Sequence, residues 1–264
     1  GTATRGRGFM EQNETSRWEP VKDLMAGARP VALGSMHAYH MAATPRRLLY
    51  SLSYYKFAAK MIGRRNEGTT EQGTGEQSAI RDPQSAIGDS GPRTQDSGLS
   101  VLDIGCGEGL GTWLLAAECG YAKGVDFDAD LIETAKANWP AERCAFECVD
   151  VLKMKPQPYD AVVNFDVIEH ILPEHAGDFL EAITANLTDY GIAVIGTPNI
   201  TSRPYASAVT NAGHVNLYDG DRLEKEMREH FTQVFMFGAN DEIVHTGFSP
   251  MAHYLIAMGC RPRR

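Results

Sequence analysis

Three glycines alternate with other residues in Asp103-Ile104-Gly105-Cys106-Gly107-Glu108-Gly109, at the end of the apolar run LSVLDI. A loop of this kind lets backbone approach a ligand closely, and the N-terminus of a following helix turns its N–H groups toward it. A dinucleotide site requires G-x-G-x-x-G, yet the third position falls on Leu110 counting from Gly105 and on Thr112 counting from Gly107. Asp103 would also repel a phosphate, so a cationic ligand suits the loop better. Two further acids stand at the ends of predicted strands, Asp126 and Asp150. In an open α/β sheet, ligands gather at these carboxyl ends. Histidines supply proton acceptors near neutral pH: His37 and His40 in GSMHAYHMAATP, His170 in NFDVIEH, and His214 in AGHVNLY.

The elements that must position these residues are legible as an alternation. Strands are predicted over 99–105, 122–128, 146–151, 159–167 and 191–198, and helices over 110–120, 128–138 and 174–187. A helix over 221–230 and strands over 231–238 and 254–260 complete the order. This predicts an α/β fold, a Rossmann-like doubly wound sheet that is mostly parallel. No helical pattern separates the last two strands, so the last one is expected to run antiparallel. Ahead of the sheet, Thr44-Pro45 reads as a helix start, Leu48, Leu52, Tyr55, Ala59 and Ile62 recur at helical spacing, and Gly63 stops the run. Residues 64–98 are rich in Gly, Ser, Thr, Gln and Asp and poor in large apolar side chains. The expected organisation is an N-terminal helical lid (1–63), a flexible linker or loop (64–98) and a ligand-binding domain (99–264).

The segment VLDIGCGEG resembles motif I of class I S-adenosylmethionine-dependent methyltransferases, and GVD at 124–126, CVD at 148–150, NFDVIEH at 164–170 and residues 191–199 continue the resemblance in order. It implies S-adenosyl-L-methionine as cofactor. The implied contacts are Asp103, Gly105, Cys106, Gly107 and Gly109 in the loop, Asp126 accepting both ribose hydroxyls, and Phe127 beside the adenine. Asp150 and Val151 would lie by the adenine amino group, Phe165 near the transferring methyl, and Tyr55, alongside Tyr54 and Lys56, near the methionine carboxylate. Several of these have plain structural alternatives: the glycines as only a tight strand–helix turn, Cys106 as a small packing residue, Asp126 as a cap of the turn, Asp150 as a solvated strand end, and Tyr55 as a core-facing ring with Lys56 solvated.

A sulfonium already activates its methyl group, so the protein need only align the acceptor and, for a hydroxyl, remove a proton. His214 and His170 are the catalytic candidates. The [DNS]PP[YFW] motif of amino and amide methyltransferases is absent, as is the glutamate pair of arginine methyltransferases. No metal-binding signature stands out and no metal is assigned, although Asp166, Glu169 and His170 are close in sequence. By elimination and by similarity to the ubiquinone-biosynthesis O-methyltransferase group, the expectation is O-methylation of a small-molecule or glycan-type hydroxyl. N-methylation of an amino sugar and a catalytically silent cofactor-binding scaffold are the alternatives.

The 264 residues carry a formal net charge of −9, with 43% hydrophobic and 22% charged residues. This is ordinary globular usage, and the acidic balance disfavours nucleic acid as a partner. No apolar run approaches the ~18 residues of a membrane span. Residues 1–9 ahead of Met10 read as an added remnant without the layout of a secretory signal, and a cytoplasmic location is expected. Five cysteines, an odd number without a CxxC, predict neither disulfides nor structural zinc. Residues 1–65 hold eleven Lys/Arg against four Asp/Glu, so this part is +7 and the remainder −16. A basic segment over an acidic domain would suit an anionic acceptor.

Overall fold

The computed structural model describes residues 22, 25–26, 30–63, 98–139 and 142–264. The chain divides into Gly1–Ala32 and Leu33–Arg264. Of the first unit, Lys22, Met25 and Ala26 are helical and exposed. From Leu33 onward, helices expected as a separate lid segment (1–63) belong to the same unit as the sheet, while residues 64–97 of the expected linker lie outside the described residues.

In the second unit, α1 (Ser35–Ala43) and α2 (Arg46–Ile62) precede β1 (Leu99–Ile104), α3 (Leu110–Cys119), β2 (Gly120–Asp126), α4 (Ala129–Asn138), β3 (Cys144–Cys148) and β4 (Tyr159–Phe165). Then come α5 (Ala176–Ala185), β5 (Leu187–Pro198), α6 (Ala208–Gly213), α7 (Gly220–His230), β6 (Phe231–Asn240), β7 (Ile243–His245) and β8 (Tyr254–Pro262). The strands form one sheet in the order β3-β2-β1-β4-β5-β8-β6-β7. β1 to β5 pair in parallel. β8 is antiparallel to both β5 and β6, so the antiparallel strand is inserted inside the sheet.

Strand residues alternate between two apolar layers, as a pleated backbone requires. Val101, Ala161, Val163, Val194 and Ile256 face α2, α3 and α4 through Tyr55, Ala58, Leu115 and Ala135. Leu102, Val162, Ala193, Ile195 and Leu255 face α5 and α7 through Phe179, Leu180, Ile183, Leu223 and Met227. Each fully buried Leu, Ile or Phe contributes on the order of 1.5–3 kcal/mol relative to exposure, so both layers must form together for the sheet to hold its register.

Several boundaries differ from the sequence reading for identifiable reasons. β3 ends at Cys148 because Asp150 turns the chain by accepting the Leu152 N–H at 3.1 Å and capping a short 3-10 turn. The helix expected over 174–187 ends at Ala185, since β5 starts at Leu187 and the Tyr159 N–H already donates to the Asn186 carbonyl. β7 is a strand where a loop was expected, and α1 is a helix where only scattered polar and aromatic residues were visible. Among the described residues, no helix is long and apolar enough to cross a membrane.

β1 and β4 are neighbours whose following connections leave toward opposite sides of the sheet. The crevice at their carboxyl ends is the switch point where ligands bind in such folds.

Candidate active site

The loop after β1 is shaped by its glycines. Gly105, Gly107 and Gly109 have φ of 75°, 53° and 80°, a region that side chains strain to reach. Gly107 is also approached so closely that a Cβ there would lie 2.6 Å from Met36 Cε. Sequence spacing placed these glycines correctly at the start of α3.

Asp103 lies behind the loop and is fully buried. One carboxylate oxygen accepts the Thr112 hydroxyl at 2.6 Å and the other accepts the Tyr55 hydroxyl at 3.1 Å. Burial pushes its pKa up to about 7 against the pull of those two hydrogen bonds, with Asp126 adding to the rise. Tyr55 is buried too, its ring occupying the space beside Gly111 and meeting Phe165 edge-on at 5.0 Å. Cys106 is buried with its thiol pushed well up by burial, which leaves it an inert packing group.

At the end of β2, Asp126 accepts the Gly107 N–H at 2.9 Å and the Asp128 N–H at 3.0 Å, one on each oxygen. Phe127 beside it is 83% exposed. Asp150 forms an ion pair with Lys153 at 2.9 Å, which lowers its pKa, and Val151 begins the turn that Asp150 caps.

One arrangement was not foreseen. Glu108, nearly inaccessible to solvent, accepts the Met36 N–H at 2.8 Å and the His37 N–H at 3.3 Å, and also meets the His37 ring nitrogen. Helix α1 has no side-chain cap of its own and no buried residue. A carboxylate from the glycine loop therefore supplies its N-terminal cap, satisfying open N–H groups and opposing the positive end of the helix. His40, one turn on, has its pKa lowered, first by burial and then by Arg47, with Asp166 and Glu108 acting in the other direction.

Across the crevice, β4 is followed by Asp166, whose φ of 56° is unusual for a residue with a side chain. The 3-10 turn Ile168–His170 follows. Glu169 is fully buried; its Oε2 accepts the Thr197 hydroxyl at 3.0 Å, and its Oε1 has no hydrogen-bond partner. Burial, reinforced by Asp166, raises its pKa to about 8. His170 lies 2.9 Å through Nδ1 from the Gly213 carbonyl. His214 meets the His170 ring edge-on at 4.9 Å, and its pKa is lowered first by burial and then by His170. The segment carrying His214 is held by the Val215 and Asn216 N–H groups, which donate to the Glu169 carbonyl at 2.9 and 3.0 Å.

The structure thus gathers Asp103, the three loop glycines, Cys106, Asp126, Phe165 and Tyr55 around one end of the crevice, and His170 with His214 around the other. Phe127, Asp150 and Val151 flank the first group. Thr112 and Glu108 were missing from the candidate set, and Glu169 was noted only for its closeness in sequence to Asp166 and His170. Their signal is slight: a hydroxyl at the start of a helix, an acid between two glycines, and an acid preceding a histidine.

Removing the Glu108 carboxylate strips α1 of its cap, which typically costs about 0.5–2 kcal/mol. Amide exchange of α1 in Glu108→Ala should accelerate roughly two- to thirtyfold by the same cap energy, with β1 exchange unchanged. Unaltered exchange in α1 would show that other contacts hold it.

A family model described as a methyltransferase domain matches residues 77–230. A probable S-adenosylmethionine-dependent methyltransferase of Mycobacterium tuberculosis is 30% identical over 124 residues, 47% of this chain and 44% of that protein. A ubiquinone biosynthesis O-methyltransferase of Bradyrhizobium diazoefficiens is 33% identical over 121 residues, 45% of this chain and 47% of that one. The chain spans about half the length of the curated relatives it matches. In fold it is similar to a TehB-like S-adenosylmethionine-dependent methyltransferase of Corynebacterium glutamicum, with a TM-score of 0.52 at 19% identity over 95% of this chain and 97% of that one. With the family model covering more than half its length and the glycine loop and strand-end acids in place, the chain belongs to the class I S-adenosylmethionine-dependent methyltransferases.

Proposed function

We propose that the chain transfers the methyl group of S-adenosyl-L-methionine to a hydroxyl of a small-molecule or glycan-type acceptor. The observation that carries this reading is the pairing, across one crevice, of a glycine cradle with a strand-end acid and of two imidazoles beside a buried carboxylate. The similarity to ubiquinone biosynthesis O-methyltransferases supports oxygen as the acceptor atom.

The residues present fit the cofactor. Each Asp126 oxygen already accepts one backbone N–H, which orients the carboxylate and leaves a second lone pair on each oxygen for a ribose hydroxyl. Phe127 offers an exposed aromatic face beside it. The buried Asp103 biases the cradle toward a positively charged ligand. The cofactor, when bound, supplies a sulfonium-activated methyl group. With it in place, the residues of the crevice would align an acceptor oxygen with that methyl group, the sulfur leaving as a neutral thioether. The hydroxyl proton passes to an acceptor-side imidazole, His214 or His170. Exposed Arg46, Arg47, Lys56 and Lys60 line α2, and the charge of Arg47 reaches His40, Glu169 and His214, which favours an anionic acceptor.

Calorimetry with S-adenosylmethionine and S-adenosylhomocysteine tests the cofactor half of the reading. Asp126→Ala should weaken binding by about 1–3 kcal/mol, the loss expected for hydrogen bonds to a charged acceptor. Unchanged affinity would move the ribose site elsewhere.

A pH dependence follows from Asp103. Its protonated form predominates below about 7 in the ligand-free chain, whereas a cationic ligand draws out the carboxylate. Cofactor binding should therefore release protons near pH 6–7 and tighten as pH rises through that range. Folding has a related sign: the raised carboxyl binds its proton more tightly in the native state, so its contribution to stability falls as pH climbs from the ordinary carboxylate range through about 7. Binding heats that do not vary between buffers of different ionisation enthalpy would remove this linkage.

For the acceptor half, His214→Ala should lower turnover by roughly 10²-fold or more, the usual range for losing a positioned proton acceptor, with cofactor affinity retained. Wild-type turnover in that variant would retire His214.

A further inference from the structure

We propose that Arg47, on the corner between α1 and α2, is the residue that selects the acceptor, its guanidinium pairing with a carboxylate or phosphate group of the molecule whose hydroxyl is methylated. The hydroxyl half of this statement rests on the O-methylation reading; the anion site itself does not.

The helix that bears Arg47 also places it. Arg47 stands seven positions before Tyr54, two turns of α2, so the two side chains share one face about 10 Å apart along the axis. Tyr54 stacks on Tyr254 at 4.4 Å, and its ring lies 6.1 Å from that of Phe165, the last residue of β4. Tyr254 in turn pairs with Pro198, the last residue of β5. Ala58, Ala59 and Ile62, further along α2, are buried in the apolar layer on the sheet. The end of α2 that carries Arg47 therefore projects past the carboxyl ends of β4 and β5, over the crevice. Its corner is tied down: Thr44 donates its N–H to the His40 carbonyl at 2.8 Å and accepts the Arg47 N–H at 2.9 Å.

Burial is the main influence on the pKa values of His40, Tyr54, Glu169 and His214, and the charge of Arg47 acts on each of them in the lowering direction. These four groups stand on α1, on α2, after β4 and after α6, so one guanidinium is shared by the segments that border this end of the crevice.

That guanidinium is uncommitted. Arg47 is exposed and has neither an ion-pair partner nor a hydrogen-bond acceptor for its side chain among the described residues, whereas Arg222, Arg228 and Arg264 are each paired with a carboxylate. The first turn of α2 holds no acid, so nothing on its own helix neutralises it. Arg46, one position earlier, acts instead on Tyr50. A guanidinium presents a planar fork of donors that matches carboxylate and phosphate oxygens two at a time. Asp166 acts on His40 and His214 in the opposite direction to Arg47 and disfavours an anion deeper in the crevice. The acid group of the acceptor thus sits at the mouth with Arg47, and its hydroxyl points inward toward His214 and His170.

The test uses the whole chain with S-adenosylhomocysteine present. Calorimetry at low ionic strength should show binding of benzoate, of inorganic phosphate or of both, and the one that binds identifies the acid group. Arg47→Gln should weaken that binding roughly tenfold or more, the range for a charge-assisted hydrogen bond, whereas Lys225→Gln on α7 should not. Methyl transfer is then compared within pairs, a hydroxybenzoate against the corresponding hydroxybenzamide and a sugar phosphate against the free sugar. The acid member of one pair should be preferred roughly tenfold or more in kcat/KM. Arg47→Gln should erase the preference by raising KM for the acid member, and Arg47→Lys should restore part of it. A merely structural role would lower both members of a pair alike. Failure of both probes to bind, equal binding by folded Arg47→Gln, or equal use of acid and neutral members would overturn the proposal. Anion binding that depends on Arg47 in a chain that methylates no hydroxyl would leave the anion site standing and overturn the O-methylation reading. Hydroxyl methylation without preference for the acid would do the reverse.

Discussion

A single carboxylate at the end of β1 governs how the N-terminal helices meet the sheet. Asp103 is enclosed by protein, and leaving such a group without donors would cost several kcal/mol. Its two donors come from different helices, Tyr55 from α2 and Thr112 from α3. The Tyr55 ring fits only because residue 111 is glycine, and it packs on Phe165 while the neighbouring Tyr54 stacks on Tyr254 at 4.4 Å. Helix α2 is thereby bound to β1, β4 and β8 at once. It packs as a layer on the sheet, with Tyr55 turned inward to Asp103. Helix α1, by contrast, buries no side chain and is fastened to the glycine loop through Glu108.

Much of this was legible in the sequence because strong local patterns coincide with the tertiary structure. Alternating apolar strands fixed the parallel core, and D-x-G-x-G-x-G located the crevice, since only glycine enters those backbone conformations cheaply. The antiparallel last strand was inferred from a missing helix, but its insertion between β5 and β6 depends on pairings far apart in the chain. The Glu108 cap escaped for the same reason, as did the approach of His214 to Glu169 and His170. Each joins residues from distant segments through backbone N–H groups and carbonyls, which every residue possesses and no side-chain pattern advertises. Helix α1 was invisible because its cap lies more than seventy positions away, where local start signals carry no information.

The two sides of the crevice differ in how fully their charges are met. On the cofactor side, Asp103, Asp126 and Glu108 each have both carboxylate oxygens engaged by donors of the protein itself. These acids are held in place before any ligand arrives, so a bound cofactor meets a preorganised surface and little reorganisation opposes it. At the other end of the crevice, Glu169 keeps one buried oxygen unmatched, and His170 has one nitrogen committed to the Gly213 carbonyl. That end of the crevice is incomplete as folded. Low dielectric magnifies such an imbalance, since an unmatched buried charge is stabilised by whatever cation or proton can reach it. The end of the crevice whose electrostatics are still open is therefore the one a ligand would change most, whereas the glycine cradle is already satisfied by the protein.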